Sequence, residues 1–517
     1  MPVLALSICA LTLSGAGAQA SPEQGDGFVR LVFDSTDIDS LDPALSYTGS
    51  TGVLLDTTCA RLVGDGPEVA VRLPRVSRDR RTFHFTLRSG FRFSDGTPVR
   101  ASAFARAIDR TLAPRMKSPW AAYTQDIVGA DDVLAGKRER ASGVVARGNM
   151  LTIRLKRPTP DFLARTSFMC AVPPTLPADR EGIADSPAAG PYYVAEYRAG
   201  ERVVIRRNPF YGGTRPHHVD GFIVDLGDFG HEEVVDRIER GEADWGWALP
   251  SVFLDPARRL VPKYGVNRSR FFLEPGYVFR GFALNTSRPL FADNPKLRRA
   301  VNFAIDRSAL RRAAGGAFES RLTDQYLPPG MVGFRDARIY PLEGPNLRRA
   351  RALARGNTRD GKAVLYTLNS PPMLAFAQSI RQNLAKIGLD VEIKGVPRPA
   401  YFGRLGATGP YDIGFAPWLA DYDDPYAVLN VLFDGRFVGS TNWSRFDSAE
   451  YNRLLRRTGE LQGAARYRAY GNVDIRLARD ASPVVAIDFL NEATLVSKRL
   501  GCVVLTPSLD LTGVCLK

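Results

Sequence analysis

Nucleophilic catalysis by Ser or Cys needs a positioned imidazole, and this chain has only His84, His217, His218 and His231 to offer. His84 falls in an alternating strand pattern, and His217 and His218 follow Pro216 in a turn. Neither a G-x-S-x-G nor an H-E-x-x-H spacing occurs. Adjacent residues on a strand point to opposite faces, so His217 and His218 cannot chelate one ion together. No Gly-rich phosphate loop is present, and Gly212-Gly213 reads as a simple chain reversal. Asp423 and Asp424 place two carboxylates side by side, which is not the opposed geometry that glycoside cleavage requires. These residue types leave catalysis without residues to stand on, and they predict no metal and no cofactor.

The elements that must carry such a site read as mixed α/β. Strand alternation at Thr82-Phe83-His84-Phe85-Thr86-Leu87 and at Val203-Val204-Ile205 is interleaved with helical stretches. Residues 374–396 form the clearest unit. Leu374, Ala377, Ile380, Leu384 and Ile387 recur at helical spacing, Gly388 stops the helix, and Leu389, Val391 and Ile393 alternate as a strand. A second helix starts at Asn294-Pro295, with Pro at a first helical position. A chain of 517 residues exceeds one compact core, so two or three domains are expected. Gly/Pro-rich joints at 186–191, 274–276 and 481–483 are the candidate boundaries.

The N-terminus predicts export. Residues 3–13 are almost purely apolar, and small residues lead to Ala18-Gln19-Ala20, an A-x-A cleavage pattern, so residues 1–20 read as a signal peptide cleaved after Ala20. No Lys or Arg precedes the apolar run, a departure from the usual basic start. Export leaves Cys59, Cys170, Cys502 and Cys515, an even set in an oxidising compartment. Three pairings are open. Closing the local loop between Cys502 and Cys515 is cheapest and leaves Cys59 with Cys170; free buried thiols are the alternative. The net charge of +14 is spread along the chain without an aromatic-interleaved stripe. Together with export this argues against nucleic acid and for a solvated basic exterior that favours anionic membrane surfaces.

Residues 80–97, RRTFHFTLRSGFRFSDGT, resemble the signature of extracellular solute-binding proteins that serve oligopeptide, dipeptide and nickel ABC importers. Leu41-Asp42-Pro43-Ala44, Gly190-Pro191-Tyr192-Tyr193-Val194, Arg207-Asn208-Pro209-Phe210-Tyr211, Leu284-Asn285-Thr286 and the run from Leu297 to Arg307 follow in the family's order. The resemblance implies a type II periplasmic-binding fold, an α/β architecture of two lobes joined by a hinge, with an extra domain in the first lobe. Domain I is then 21–73, 190–278 and 485–517, domain II is 74–189, and domain III is 279–484. Pro417-Trp418-Leu419-Ala420-Asp421-Tyr422-Asp423-Asp424-Pro425 is similar to the W-x-x-D-x-x-x-P stretch of the peptide-binding members. By that match Asp421 holds a peptide's α-ammonium, Trp418 walls a side-chain pocket, and the backbone of Leu419 and Ala420 pairs with an extended ligand. Tyr47 to Gly49 present backbone from domain I, and Tyr422 and Asn442 are further lining candidates. The implied function is capture of a short peptide outside the cytoplasm and its delivery by a monomer to permease and ATPase subunits of an importer. The resemblance leaves open a non-peptide solute on the same scaffold, such as a metal chelate, an opine or an oligosaccharide, and a secreted peptide-binding chaperone or sensor.

Overall fold

The computed structural model describes residues 27–64, 66–246, 256–314, 316–406, 409–505 and 509–517. The expected leader and its cleavage point lie outside them. Three large sheets and a two-stranded one, Leu500–Gly501 with Cys515–Leu516, organise the described residues. The first has five strands in the order Tyr192–Arg198, Arg202–Arg207, Gly221–Gly227, Phe28–Asp34 and Trp245–Gly246. Phe28–Asp34 runs parallel to both of its neighbours, and Val29, Leu31 and Phe33 on one face pack with Phe222 and Val224. The second sheet, of four antiparallel strands, carries the signature segment. Its strand Thr82–Thr86 buries Phe83 and Phe85 against Phe104 and Ile108 of the helix Ala101–Leu112. The turn that follows closes as expected at Asp95-Gly96: Gly96 takes φ +82°, and Asp95 Oδ1 accepts from the Thr97 N–H at 2.9 Å.

The third sheet has seven strands, and the unit at 374–396 sits within it. Strand Lys362–Leu368 leads into helix Pro371–Ala385 and then into the parallel strand Asp390–Val396, with Gly388 at φ +85° making the stop. Met373 and Phe376 join Ala377, Ile380 and Leu384 on the buried stripe, whereas Leu374 is only partly buried. Helix Pro295–Ala304 starts where Asn294-Pro295 predicts, with the Asn294 side chain accepting from the Leu297 N–H at 3.2 Å.

Two long antiparallel strands, Phe271–Leu284 and Val484–Leu495, join the first sheet to the third. Phe271 and Leu495 pack with Val32 and Ile238 at one end; Phe279, Phe282 and Val485 enter the large core at the other. Their register breaks between Pro275 and Phe279, beside the Gly/Pro joint expected there. The expected boundaries at 278 and 484 therefore fall inside continuous strands. Such strands are the physical basis of a hinge: few residues cross, and the break sits where pairing is already interrupted. Cys59 pairs with Cys170 and Cys502 with Cys515, the arrangement in which the local loop closes on itself. No helix among the described residues is long and apolar enough to cross a membrane.

Candidate ligand-binding site

Asp421 occupies a turn whose two ends are fixed. On one side the short strand Trp418–Leu419 pairs with Phe279 and Val278 of the hinge strand. On the other, the buried Asp424 takes a two-pronged ion pair from Arg466 at 2.6 and 2.7 Å and accepts the Tyr426 N–H at 2.9 Å. Between these anchors Asp421 faces the opposite lobe. There the Tyr123 hydroxyl donates to Asp421 Oδ2, and the Tyr47 hydroxyl hydrogen-bonds the same carboxylate. Tyr47 is held by its own loop, because Asp39 Oδ2 accepts the N–H groups of Tyr47 and Thr48 at 2.5 and 3.0 Å. Gly49 opens the helix Gly49–Thr58, capped by the Thr48 side chain.

The electrostatics follow from enclosure. Burial pushes the Asp421 carboxyl up to about 6, against the two hydroxyl donors that favour its charged form. Burial, followed by the charge of Asp421, raises Tyr123 above the ordinary phenol range; Tyr47 is raised in the same direction at its hydroxyl, although 44% of the residue stays exposed. Among the described residues no Lys or Arg lies within ion-pair distance of Asp421. Aromatic rings complete the surroundings: Trp120 stacks on Phe168 with centroids 4.3 Å apart, Tyr47 meets Trp120 edge-on at 5.2 Å, and Tyr422 meets Tyr123 edge-on at 5.7 Å. A partly desolvated anion among hydroxyls and π faces suits a compact cation that carries N–H donors.

The next residue along the chain behaves differently. Tyr422 is buried and donates across the seam to Asp161 Oδ2 at 2.7 Å. Asp161 also accepts Arg165 Nε at 2.7 Å, and Arg165 reaches Asp126 at 3.1 Å and lies 4.6 Å over the Tyr426 ring. Burial by itself would raise Asp161, but Arg165 outweighs it and holds the carboxyl below the usual carboxylate range. The two lobes thus share one polar network that is closed with its own charges.

The sequence pattern described as bacterial extracellular solute-binding proteins, family 5 Middle, matches residues 66–440. The chain belongs to this family. Among its relatives is the oligopeptide-binding protein of Bacillus subtilis strain 168, 24% identical over 494 residues covering 87% of this chain and 86% of that one. Among solved structures, a clavulanic acid biosynthesis oligopeptide binding protein superposes with a TM-score of 0.87 at 24% identity, covering 95% of each chain. The oligopeptide-binding protein of Haemophilus influenzae in complex with the peptide RPPGFSPFR superposes with a TM-score of 0.74 at 19% identity, covering 95% of this chain and 99% of that one. These structures carry the two-lobe type II periplasmic-binding fold, and this chain has it too.

In this family 5 binding protein the expected site residues separate into three groups. Asp421, Tyr47, Ala420 and Tyr422 converge at the seam, with Gly49 behind Tyr47 at the helix start. Leu419 is exposed, and its strand pairs only on its hinge side among the described residues, which leaves the other edge open to an extended chain. Trp418 and Asn442 do not line the seam. Trp418 is buried in the core, packs edge-on against Trp443 at 6.0 Å, and spends its indole N–H on the Ala427 carbonyl at 2.9 Å. It points inward because neighbouring strand residues alternate faces and Leu419 takes the outer one. Asn442 is buried and saturated: its amide donates to the carbonyls of Asp434 and Phe446, and its Oδ1 accepts from Ser444 and Phe446. It holds its own turn together.

The residues that sequence reasoning missed come from the opposite lobe: Trp120, Tyr123, Asp161, Arg165 and Phe168. The run Ser118-Pro119-Trp120-Ala121-Ala122-Tyr123 carried the available signal, two large aromatics beside a Pro where a core helix would place aliphatic residues. No cluster of His, Cys, Asp and Glu that could hold a metal ion occurs among the described residues.

Proposed function

We propose that this family 5 protein captures short peptides outside the cytoplasm by their free N-terminal ammonium, which Asp421 receives in the seam between the lobes, and delivers them to the permease and ATPase subunits of an importer. The observation that carries the reading is a carboxylate enclosed between two lobes with hydroxyl donors and, among the described residues, no cation of its own. An ammonium supplies the missing charge, and a charge-assisted hydrogen bond of this kind contributes about 1.5–3 kcal/mol. The open edge at Leu419 and Ala420 supports main-chain recognition, which tolerates many side chains. The family's extracellular character and the names of the relatives, which are oligopeptide-binding proteins, support the ligand class. The two strands at 271–284 and 484–495 are the hinge on which the lobes open and close. No bond is made or broken in this cycle.

Native mass spectrometry of the purified protein, followed by calorimetric titration of a tripeptide and its N-acetylated twin, tests the reading. The free-amine peptide is expected to bind at least tenfold more tightly, about 1.4 kcal/mol. Equal affinity for the two, or co-purification of a non-peptide solute alone, overturns it.

A further inference from the structure

The four-stranded sheet has a face that the core does not use. Phe83, Phe85, Leu151 and Ile153 point inward, so the alternate residues Thr82, His84, Thr86, Met150, Thr152 and Arg154 point out. The register sets them in rows: Arg75, His84, Thr152 and Val145 in one; Thr86, Met150 and Arg147 in the next; Thr82 and Arg154 in a third. Contacts on this outer side confirm the rows, with His84 Nδ1 3.1 Å from Thr152 Oγ1 and Thr86 Oγ1 3.5 Å from Met150 Sδ.

Two properties of this face go together. It is basic: its rows carry Arg75, Arg147 and Arg154, and the segment that builds it, residues 72–157, holds 19 Lys and Arg against 7 Asp and Glu, so the charge is concentrated here and not evenly spread along the chain as expected. Arg72, Arg75, Arg78, Arg80, Arg147 and Arg154 are exposed, and Asp79, the one acidic residue in 72–94, is taken by Arg81 at 3.0 Å. It also carries exposed apolar side chains, with Val145 and Met150 on the sheet and Val71 and Leu73 in the segment that leads to its edge strand. On the opposite face Phe162, beside Asp161, packs on Phe83 with ring centroids 4.8 Å apart, so the basic face is turned away from the seam.

We propose that this sheet face docks the protein onto an anionic membrane surface. Fixed positive charge attracts the headgroups, and separate apolar side chains set among the arginines reach the headgroup boundary, the combination that interfacial binding requires. The apolar residues are dispersed among charges and form no single pocket for a protein side chain. Docked this way, the seam stays open to solvent.

Co-sedimentation with vesicles tests this. The purified chain is expected to pellet with vesicles containing about a third phosphatidylglycerol at about 50 mM salt, to stay in solution with pure phosphatidylcholine, and to be released at about 300 mM salt by screening. Reversal of three arginines together, Arg75→Glu, Arg147→Glu and Arg154→Glu, is expected to weaken binding on the order of a hundredfold. Val145→Asp alone is expected to weaken it roughly tenfold. A control triple elsewhere, Arg348→Glu, Arg355→Glu and Arg456→Glu, changes net charge equally and should retain most of the binding. Peptide affinity is expected to stay unchanged in every variant, which separates failure here from failure of the peptide reading. Absence of wild-type binding to the anionic vesicles at low salt, or equal loss in the control triple, overturns the proposal.

Discussion

Asp161 and Asp421 stand on opposite sides of one seam, and each accepts a tyrosine hydroxyl from across it: Tyr422 to Asp161 and Tyr123 to Asp421. Burial raises both carboxyls. Asp161 nonetheless ends below the usual range because Arg165 is fixed against it, whereas Asp421, with only hydroxyl partners among the described residues, ends at about 6. A built-in guanidinium decides the sign. A carboxylate paired this way belongs to the scaffold, and one enclosed without a cation is kept for a charge that comes and goes. Asp424, two-pronged to Arg466 only three residues beyond Asp421, falls on the scaffold side of the same division.

Removing the scaffold carboxylate should have the largest effect. Asp161→Asn leaves Arg165 with Asp126 alone and weakens the Tyr422 bond, and it is expected to destabilise the protein by about 3 kcal/mol, read as a lower Tm by calorimetry. Asp421→Asn sharpens the contrast: peptide affinity is expected to fall tenfold or more, about 1.4 kcal/mol, while Tm is unchanged or higher, because the variant no longer buries an uncompensated charge. A drop in Tm comparable to that of Asp161→Asn would break the comparison.

The pH dependences of the two residues should run in opposite directions. With its folded value above its unfolded one, Asp421 favours the folded state at acid pH, and that contribution is lost as pH rises through about 6. Asp161, held low, contributes above the ordinary carboxylate range and loses that contribution as pH falls below it. Ligand affinity follows the ionised form of Asp421. It is expected to be level near pH 7, to fall about tenfold per unit below pH 6, and to decline again above about pH 8, where the peptide's own α-amino group deprotonates. A flat affinity profile from pH 5 to 7 in calorimetric titration would remove Asp421 from the ligand. The smallest effect expected is from Tyr123→Phe. Losing one hydroxyl donor raises Asp421 further, and the acid limb of the affinity profile should move up by less than about one pH unit. An unmoved limb would mean that the Tyr123 bond does not tune the carboxylate.

Much of the fold was legible because its signals are short-range. The Asp95-Gly96 turn, the Asn294-Pro295 helix start, and the helix, Gly388 stop and strand read at 374–396 each depend on residues within a few positions of one another. Asp421 could be singled out because it sits in a local motif, and the cysteine pairing because one loop closes cheaply on itself. Trp418 and Asn442 were misplaced because a motif names residues without saying which face of the strand they take or whether their polar atoms are already satisfied at home.

What the sequence determined by itself, then, is the set of local elements, the family and the presence of an acidic residue in a turn between lobes. Only the tertiary structure decided that this residue meets Tyr123, 298 positions away, and that its neighbour Tyr422 meets Asp161, 261 positions away. The physical reason is that helix caps, turns and strand alternation are fixed by backbone geometry over a few residues. Whether a buried carboxylate finds an arginine or only hydroxyls depends on which distant elements pack against it when the hinge strands bring two separately built sheets together.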